Sequence, residues 1–253
     1  MPSYELMFAY GKPPPQVYDS EMVAALRLIG ADGCPGGWMV ALEFTDHTTA
    51  LERWDTNHLG AVTRRSSVVA AVLDIPIGLP SRGSRACDVE ARQLLGWPRR
   101  TSVFPAPLRP MLAATSYQQA QNIRRRLEGK GCSRQAFGIQ SKVLEVDELL
   151  RHGGAQNLYE GHPELTFQEL AGGEALPASK HTPEGRSTRW RLLMAEFPAL
   201  EQLDPGRPSS GDSLDAYACL WTARRLAAGT ARWVPSQDDE LDLELRIPMR
   251  IWF

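Results

Sequence analysis

A glycine-rich turn beside a lone carboxylate constrains this chain more than any other stretch of its sequence. Residues 28–38 read LIGADGCPGGW, in which an apolar run leads to Asp32 and apolar residues resume at Trp38. This pattern predicts a β-hairpin whose first strand ends in a carboxylate. Because glycine has no side chain, backbone or ligand can approach Asp32 closely. On this stretch alone, Asp32 is either a solvated turn residue or part of a site.

A second acid ends a buried strand further along the chain. Residues 68–73 form a continuous apolar run, typical of a strand that is buried on both faces, and Asp74 and Pro76 follow it. In open α/β sheets, ligands bind at the carboxyl ends of the strands. The residues before this run predict an antiparallel meander of three strands, at about 27–32, 37–45 and 49–55. A short helix is predicted after them, at about 57–65.

The segment from about 81 to 153 does not continue the sheet and predicts a basic helical insertion. Between Arg82 and Arg151 it carries 13 Lys and Arg residues against 6 Asp and Glu, although the whole chain has a net charge of -2. A basic segment on an otherwise acidic chain suggests an anionic partner, while a solvated helical face would explain the same charges. Helices are predicted near 84–95, 116–128 and 139–152.

Three further acids lie at the ends of later elements. Glu160 ends a short predicted strand at 156–160. Asp212 and Asp215 open the most strongly predicted helix, and their spacing of three places them on one face near its positive end. The remaining predictions are helices from 163, over 184–196 and over 207–229, strands near 230–234 and 244–252, and a solvated acidic loop over 238–244.

Length and composition limit the classes of protein that this chain can belong to. Its 253 residues suffice for one large domain with an insertion, here predicted over 27–253, preceded by an extension over 1–26. We expect no membrane span and no secretory signal. The four scattered cysteines form no C-x-x-C pair, so they indicate neither a zinc knuckle nor a disulfide framework and favour a reduced, cytoplasmic setting.

The five acids share a consistent context, at strand ends or at the start of a late helix. Carboxylates that share a site repel one another unless one is protonated or a cation binds. Mg²⁺ prefers oxygen ligands, and two such ions about 4 Å apart can align an attacking water and a leaving oxygen. Structural roles stay open for four of the five acids: a turn former for Asp32 or Asp74, a helix cap for Asp212, and an ion pair for Glu160.

A family resemblance rests on a series of motifs that run in order along the chain. The chain resembles the domain-of-unknown-function family 429, described as predicted RNase H-like nucleases of the RuvC-type branch. The motifs are GADGCPGGW (30–38), LDIPIGLP (73–80), RACDVEAR (85–92), SVFPAP (102–107), LEVDELL (144–150), YEGHPE (159–164), SKHTPEGR (179–186) and GDSLDAYA (211–218).

The resemblance implies a fold and a site. The fold would be an RNase H-like α/β fold, with a mixed sheet of three antiparallel and then parallel strands, flanked by helices. The site would bind Mg²⁺ or Mn²⁺, with Asp32 bridging two ions. The candidate catalytic and metal-binding residues are Asp32, Asp74, Glu160, Asp212 and Asp215.

The function expected from this site is metal-dependent hydrolysis of phosphodiester bonds in nucleic acid. His162 and Lys180 are candidates for orienting the water or the leaving group. The expected phosphate-backbone ligands are cations of the insertion: Arg82, Arg85, Arg99, Arg100 and Lys142.

Two other functions stay open on the sequence. The acidic balance of the whole chain favours phosphotransfer or hydrolysis on a nucleotide or other small phosphorylated substrate, because most nucleic-acid binders are basic over the binding domain. A non-catalytic binding protein with the same acids is the third option. The sequence does not fix the oligomeric state, and a homodimer is one option.

Overall fold

The computed structural model describes residues 25–153, 157–203, 211–237 and 240–253. The predicted N-terminal extension therefore lies outside the described residues, apart from its last two positions. In the described part of the chain, no helix combines the length and apolarity that crossing a membrane requires.

A five-stranded mixed sheet forms the centre of the fold. Its strands are β1 (Leu26–Cys34), β2 (Gly37–Phe44), β3 (Thr49–Trp54), β4 (Ala70–Asp74) and β5 (Leu158–Glu160). Their order across the sheet is β3-β2-β1-β4-β5, with antiparallel pairing from β3 to β1 and parallel pairing from β1 to β5. This arrangement confirms the predicted meander and the parallel strands after it, and it is consistent with an RNase H-like fold.

The predicted hairpin at the glycine-rich turn is confirmed. Cys34 of β1 pairs with Gly37 of β2, so Pro35 and Gly36 form a two-residue turn, and Gly36 has a φ of 77° that favours glycine. Asp32 lies two residues before the end of β1 rather than at it.

Nine helices surround the sheet in the described residues. Their bounds are α1 (Thr56–Thr63), α2 (Ala86–Leu95), α3 (Tyr117–Glu128), α4 (Arg134–Gly138), α5 (Gln140–Arg151), α6 (Pro163–Leu170), α7 (Pro183–Glu196), α8 (Leu200–Leu203) and α9 (Gly211–Ala228). Helices α2 to α5 lie between β4 and β5 in the chain, where the insertion was predicted. Two short 3-10 turns, at Arg99–Ser102 and Arg109–Ala113, belong to the same segment.

Strand periodicity decides which face of the sheet carries the acids. Leu28 and Val72 belong to the hydrophobic cluster that contains the buried face of α9, whereas Ile29 belongs to the cluster on the opposite face. Side chains two or four residues apart on a strand share a face. Asp32 and Asp74 therefore lie on the α9 face, and they are register partners in the parallel pair of β1 and β4.

Helix α9 packs on the sheet at close range because β1 has no side chain at Gly30. A Cβ atom at Gly30 would lie 2.1 Å from the Leu220 nitrogen and 2.3 Å from the Ala216 oxygen, which no folded chain tolerates. The backbone of α9 thus rests on the backbone of β1. This contact brings the first turns of α9, including Asp215, to the edge where Asp32 and Asp74 lie.

The C-terminal segment differs from its prediction. In place of one strand over 244–252, β7 (Leu241–Asp242) pairs with β8 (Ile247–Pro248), and β9 (Ile251–Trp252) pairs with β6 (Trp233–Val234). Asp242, predicted to be solvated, is buried; its carboxylate accepts from the Leu79 amide at 2.7 Å and from Arg109. The ion pair with the buried Arg109 thus explains why Asp242 is buried although it belongs to an acidic run.

Candidate functional site

Three aspartates from three elements meet at the carboxyl edge of β1 and β4. Asp32, Asp74 and Asp215 each offer a carboxylate oxygen, and these oxygens all lie within 4.8 Å of one another. Asp32 and Asp74 are partly exposed, whereas Asp215 is only 2% exposed. Strand register determines the positions of the Asp32 and Asp74 side chains, and the close packing of α9 on β1 determines that of Asp215.

Burial and mutual repulsion make this cluster hold protons more tightly than isolated aspartates do. Burial raises the pKa of Asp32 well above its usual range, and the charges of Asp74 and Asp215 raise it further. Burial also raises the pKa of Asp74 to about 6 and that of Asp215 to about 6, although Lys180 opposes both shifts. Such a cluster is favourable near neutral pH only when positive charge is supplied to it.

Lys180 supplies part of that charge. Its Nζ lies 2.5 Å from Asp215 Oδ2. Burial alone would lower the pKa of Lys180, but the carboxylates of Asp215 and Asp74 outweigh this effect and raise it. Lys180 therefore stays charged and neutralises one of the three carboxylates.

The remaining oxygens fit a hard divalent cation. The cluster consists of carboxylates, without His or Cys among its three residues, which is the donor set that Mg²⁺ and Mn²⁺ favour over zinc. Asp215 Oδ1 is buried and has no hydrogen-bond partner among the described residues. An unpaired buried carboxylate oxygen is costly, and a bound cation would satisfy it.

The raised pKa values predict how the stability of the metal-free protein depends on pH. Because folding raises the pKa of these acids, the folded chain binds more protons than the unfolded chain between about pH 4 and 6. Their contribution to stability is therefore present at low pH and is lost as pH rises through about 6. In EDTA, urea unfolding of Asp74→Asn should show a flatter fall in stability from pH 5 to 7 than wild type; identical slopes would contradict the shifts.

His162, at the start of α6, borders the same cleft. Burial lowers the pKa of His162, which favours the neutral imidazole, and its Nδ1 is buried without a hydrogen-bond partner in the described part of the chain. A neutral ring nitrogen can accept a proton. His162 thus borders the cleft whose wall contains Asp32 and Asp74.

The structure does not bring Glu160 into the cluster. Its two carboxylate oxygens accept from Arg85 Nη1 at 2.6 Å and Nη2 at 2.7 Å, and Oε2 also accepts from the Ile77 amide at 2.6 Å. Arg85 also donates to Asp88 through Nη2 at 2.6 Å and through Nε at 3.2 Å. Glu160 is thus engaged as a structural acid in a buried ion pair with Arg85.

Arg85 is unavailable to a phosphate, which corrects its predicted role. It is 1% exposed, and its remaining contacts are the carbonyl oxygens of Ile77 and Gly78. Its guanidinium N–H groups thus all point at protein acceptors. Other cations of the insertion are also engaged internally: Arg109 with Asp147 and Asp242, Arg124 with Glu128, and Arg151 with Asp147 and Glu244. Much of the basic charge therefore supports the fold.

The other predicted residues are placed as follows. Asp212, in the first turn of α9, is not one of the three clustered acids, but its charge contributes to the raised pKa of Asp32. Lys142 borders the cleft, where its Nζ lies 2.7 Å from Glu145 Oε2 and 4.9 Å from the centre of the Trp38 ring. Arg99 also borders the cleft, whereas the exposed Arg82 and Arg100 lie outside its lining.

Asp32 and Asp74 lie in the wall of a cleft with a volume of about 1220 Å³. The glycine-rich turn, the segment Arg99–Phe104, and helices α4 and α5 contribute to the same cleft. A pocket of this size accommodates a ligand larger than a single phosphate. The carboxylates are thus reachable by a substrate.

Sequence reasoning missed two buried ion pairs around the cleft. Asp88 joins Arg85, and the spacing of three in RACDVEAR is a signal that could have revealed the pair. Arg189 Nη2 lies 2.6 Å from Glu164 Oε2, with both side chains buried. No local signal joins these two residues, because α7 and α6 meet only in the folded chain.

Comparison with known proteins gives a family but no characterised relative. A family model described as "Protein of unknown function (DUF429)" matches residues 30–240, which cover most of the chain and all five candidate acids. No curated protein and no solved structure matches the chain.

Proposed function

The chain belongs to the DUF429 family of proteins of unknown function, and from its site we propose that it is a divalent-metal-dependent phosphodiesterase that cleaves nucleic acid. The observation that carries the proposal is the convergence of Asp32, Asp74 and Asp215 at a cleft, with one buried oxygen of Asp215 unpartnered among the described residues. Such an arrangement is costly for a fold and useful for holding a cation.

Each residue of the site has a task in this proposal. Asp32, Asp74 and Asp215 would hold Mg²⁺ or Mn²⁺, which supplies Lewis-acid polarisation of a phosphodiester oxygen and lowers the pKa of a bound water. His162 Nδ1 is the candidate acceptor of the proton that the attacking water loses. Lys180 keeps Asp215 oriented and adds a fixed positive charge. Water adds to phosphorus and gives a proton to His162, the bond to the leaving oxygen breaks, and that oxygen takes up a proton from solvent.

A second ion stays a prediction. Asp212 remains available to it in the first turn of α9, while Glu160 is held by Arg85.

The cysteines support the expected reducing, cytoplasmic setting, since all four are free and buried.

One observation favours a small phosphorylated substrate as the second candidate. The cleft is bordered by seven Asp and Glu residues but only four Arg and Lys residues. Three of those four cations, Arg85, Lys142 and Lys180, are ion-paired with protein carboxylates. A long polyanion gains little from such a surface.

Two chromogenic esters test the proposal on the full chain. With Mn²⁺ or Mg²⁺, we expect hydrolysis of bis(p-nitrophenyl) phosphate, a diester, and none in EDTA. Hydrolysis of p-nitrophenyl phosphate alone would favour the small-substrate function, and hydrolysis of neither would contradict both enzymatic functions. Salt separates the two further, because binding of nucleic acid weakens steeply as salt rises whereas binding of a small substrate responds little.

A further inference from the structure

Two parts of the insertion contribute walls of the cleft, and they lie on opposite sides of the carboxylates. On one side, Lys142 of α5 covers the glycine-rich turn: a Cβ on Gly33 would lie 3.5 Å from the Lys142 Cγ. On the other side, the segment Arg99–Phe104 lies near His162, two residues after the end of β5. The turn continues β1, and β4 lies between β1 and β5 in the sheet, so Asp32 on β1 and Asp74 on β4 lie along the sheet edge that runs from one wall to the other.

The carboxylates lie inside the cleft rather than on an open surface. Asp32 and Asp74 are only partly exposed, and residues of both walls line the same cleft of about 1220 Å³. A substrate phosphate therefore has to enter between the walls to reach them. Because an intact duplex keeps its bases stacked on one another, a base can contact an aromatic residue of a wall only when its strand is unpaired.

Arg99 is the cation of the cleft that is left for a phosphate. Unlike Arg85, Lys142 and Lys180, it has no carboxylate partner among the described residues, and its Nε is buried without a hydrogen-bond acceptor there. A guanidinium with no carboxylate partner and an unsatisfied Nε donor is suited to bind one phosphate. The metal site would contact the scissile phosphate, and Arg99 would contact a phosphate next to it. This arrangement suits two adjacent phosphates rather than a long stretch of backbone.

Phe104 presents an aromatic face at the same wall. It borders the cleft and is 38% exposed, although it lies in a segment whose neighbours Val103 and Ala106 are buried. Aromatic side chains in nucleic-acid grooves stack on single bases, and the contact tolerates any sequence. Arg99 and Phe104 thus pair a phosphate ligand with a base platform five residues apart on one wall.

We propose that the substrate is an unpaired nucleic-acid strand, with a base stacked on Phe104 and a phosphate next to the scissile one held by Arg99. The proposal rests on the phosphodiesterase function proposed above and names the substrate of that same site. It also accounts for the acidic balance of the cleft, because only a short stretch of backbone enters it.

Binding of a short fluorescent oligonucleotide to the full chain tests the proposal. Fluorescence anisotropy is measured in Ca²⁺, a hard cation that takes the same oxygen ligands, with a gel to verify that the strand stays intact. DNA and RNA strands are compared with the same strands annealed to their complements. We expect each single strand, or the one of the two that the site accepts, to bind at least about tenfold more tightly than its duplex; equal binding of the duplex would overturn the proposal.

Matched variants assign the two contacts. Phe104→Ala should weaken single-strand binding about five- to a hundredfold, and Phe104→Tyr should restore it, whereas Trp97→Ala, which removes a 76% exposed aromatic outside the cleft, should not. Arg99→Gln should lower the salt slope by about 0.7, and Arg125→Gln, on the exposed face of α3, should not. Equal effects of test and control variants would overturn the assignment.

Failure of this inference is distinguishable from failure of the proposed function. If bis(p-nitrophenyl) phosphate is hydrolysed with Mn²⁺ but single strands bind no better than duplexes, the phosphodiesterase stands and the unpaired substrate does not. If the diester is not hydrolysed, the proposed function fails, and the binding assay still decides whether the cleft takes an unpaired strand.

Discussion

Asp32→Asn should abolish metal-dependent phosphodiester hydrolysis and leave the protein folded. Asp32 is the register partner of Asp74 and has a carboxylate oxygen within 4.8 Å of those of Asp74 and Asp215, so its loss removes a central ligand of the cluster. A bound ion supplies several kcal/mol to such a reaction, which corresponds to a loss of about a thousandfold or more. The rate with bis(p-nitrophenyl) phosphate measures the loss.

The same substitution should stabilise the metal-free chain. Asn has nearly the shape of Asp, and it removes one of three carboxylates that raise one another's pKa values. We expect a gain of about 1 kcal/mol, or a rise in Tm of about 2–4 °C for a domain of this size. Thermal unfolding in EDTA measures it, and saturating Mn²⁺ should stabilise wild type more than the variant.

Asp46→Asn is the matched control, because it removes the same charge in the exposed turn between β2 and β3. It should keep the hydrolytic rate and the Mn²⁺-dependent rise in Tm. If Asp32→Asn retained both, the three aspartates would not be a metal site. A loss of Tm in EDTA on Asp32→Asn would mean that the carboxylate stabilises the fold by itself.

The sheet could be predicted from the sequence because its signals are local. Alternation and turn residues mark β1 to β3, and the apolar run before Asp74 marks β4. The C-terminal segment could not be predicted in the same way. Its strands are two residues long, and Asp242 is buried because Arg109, far away in the sequence, pairs with it. A distant partner overrides what the local charge pattern indicates.

The site was only partly predictable for the same physical reason. Asp32 and Asp74 are set by strand register, and Asp215 by the start of α9, all of which leave local traces in the sequence. Whether Glu160 faces the cluster depends instead on Arg85, which lies 75 residues earlier in the chain and reaches it through the fold. Charge counting likewise could not reveal that Arg109 and Arg124 of the basic insertion are paired internally.

Arg85→Met should cause the largest loss of stability of any single change around the cleft. Met fills a similar volume but leaves Glu160 and Asp88 buried without their cation. Breaking a buried ion pair by removing one partner costs about 3–5 kcal/mol. Urea unfolding measures the loss, and Arg82→Met, an exposed arginine of the same segment, should cost less than about 0.5 kcal/mol.

A second substitution separates the structural role of Arg85 from a role in binding. Glu160→Gln in the Arg85→Met background removes one of the two buried carboxylates that have lost their cation, so it should recover part of the lost stability. Recovery of stability would mean that the role of Glu160 is to neutralise the buried charge of Arg85. If Arg85→Met were as stable as Arg82→Met and instead weakened oligonucleotide binding, Arg85 would be a phosphate ligand. Glu160 would then be free to join the three aspartates around the metal.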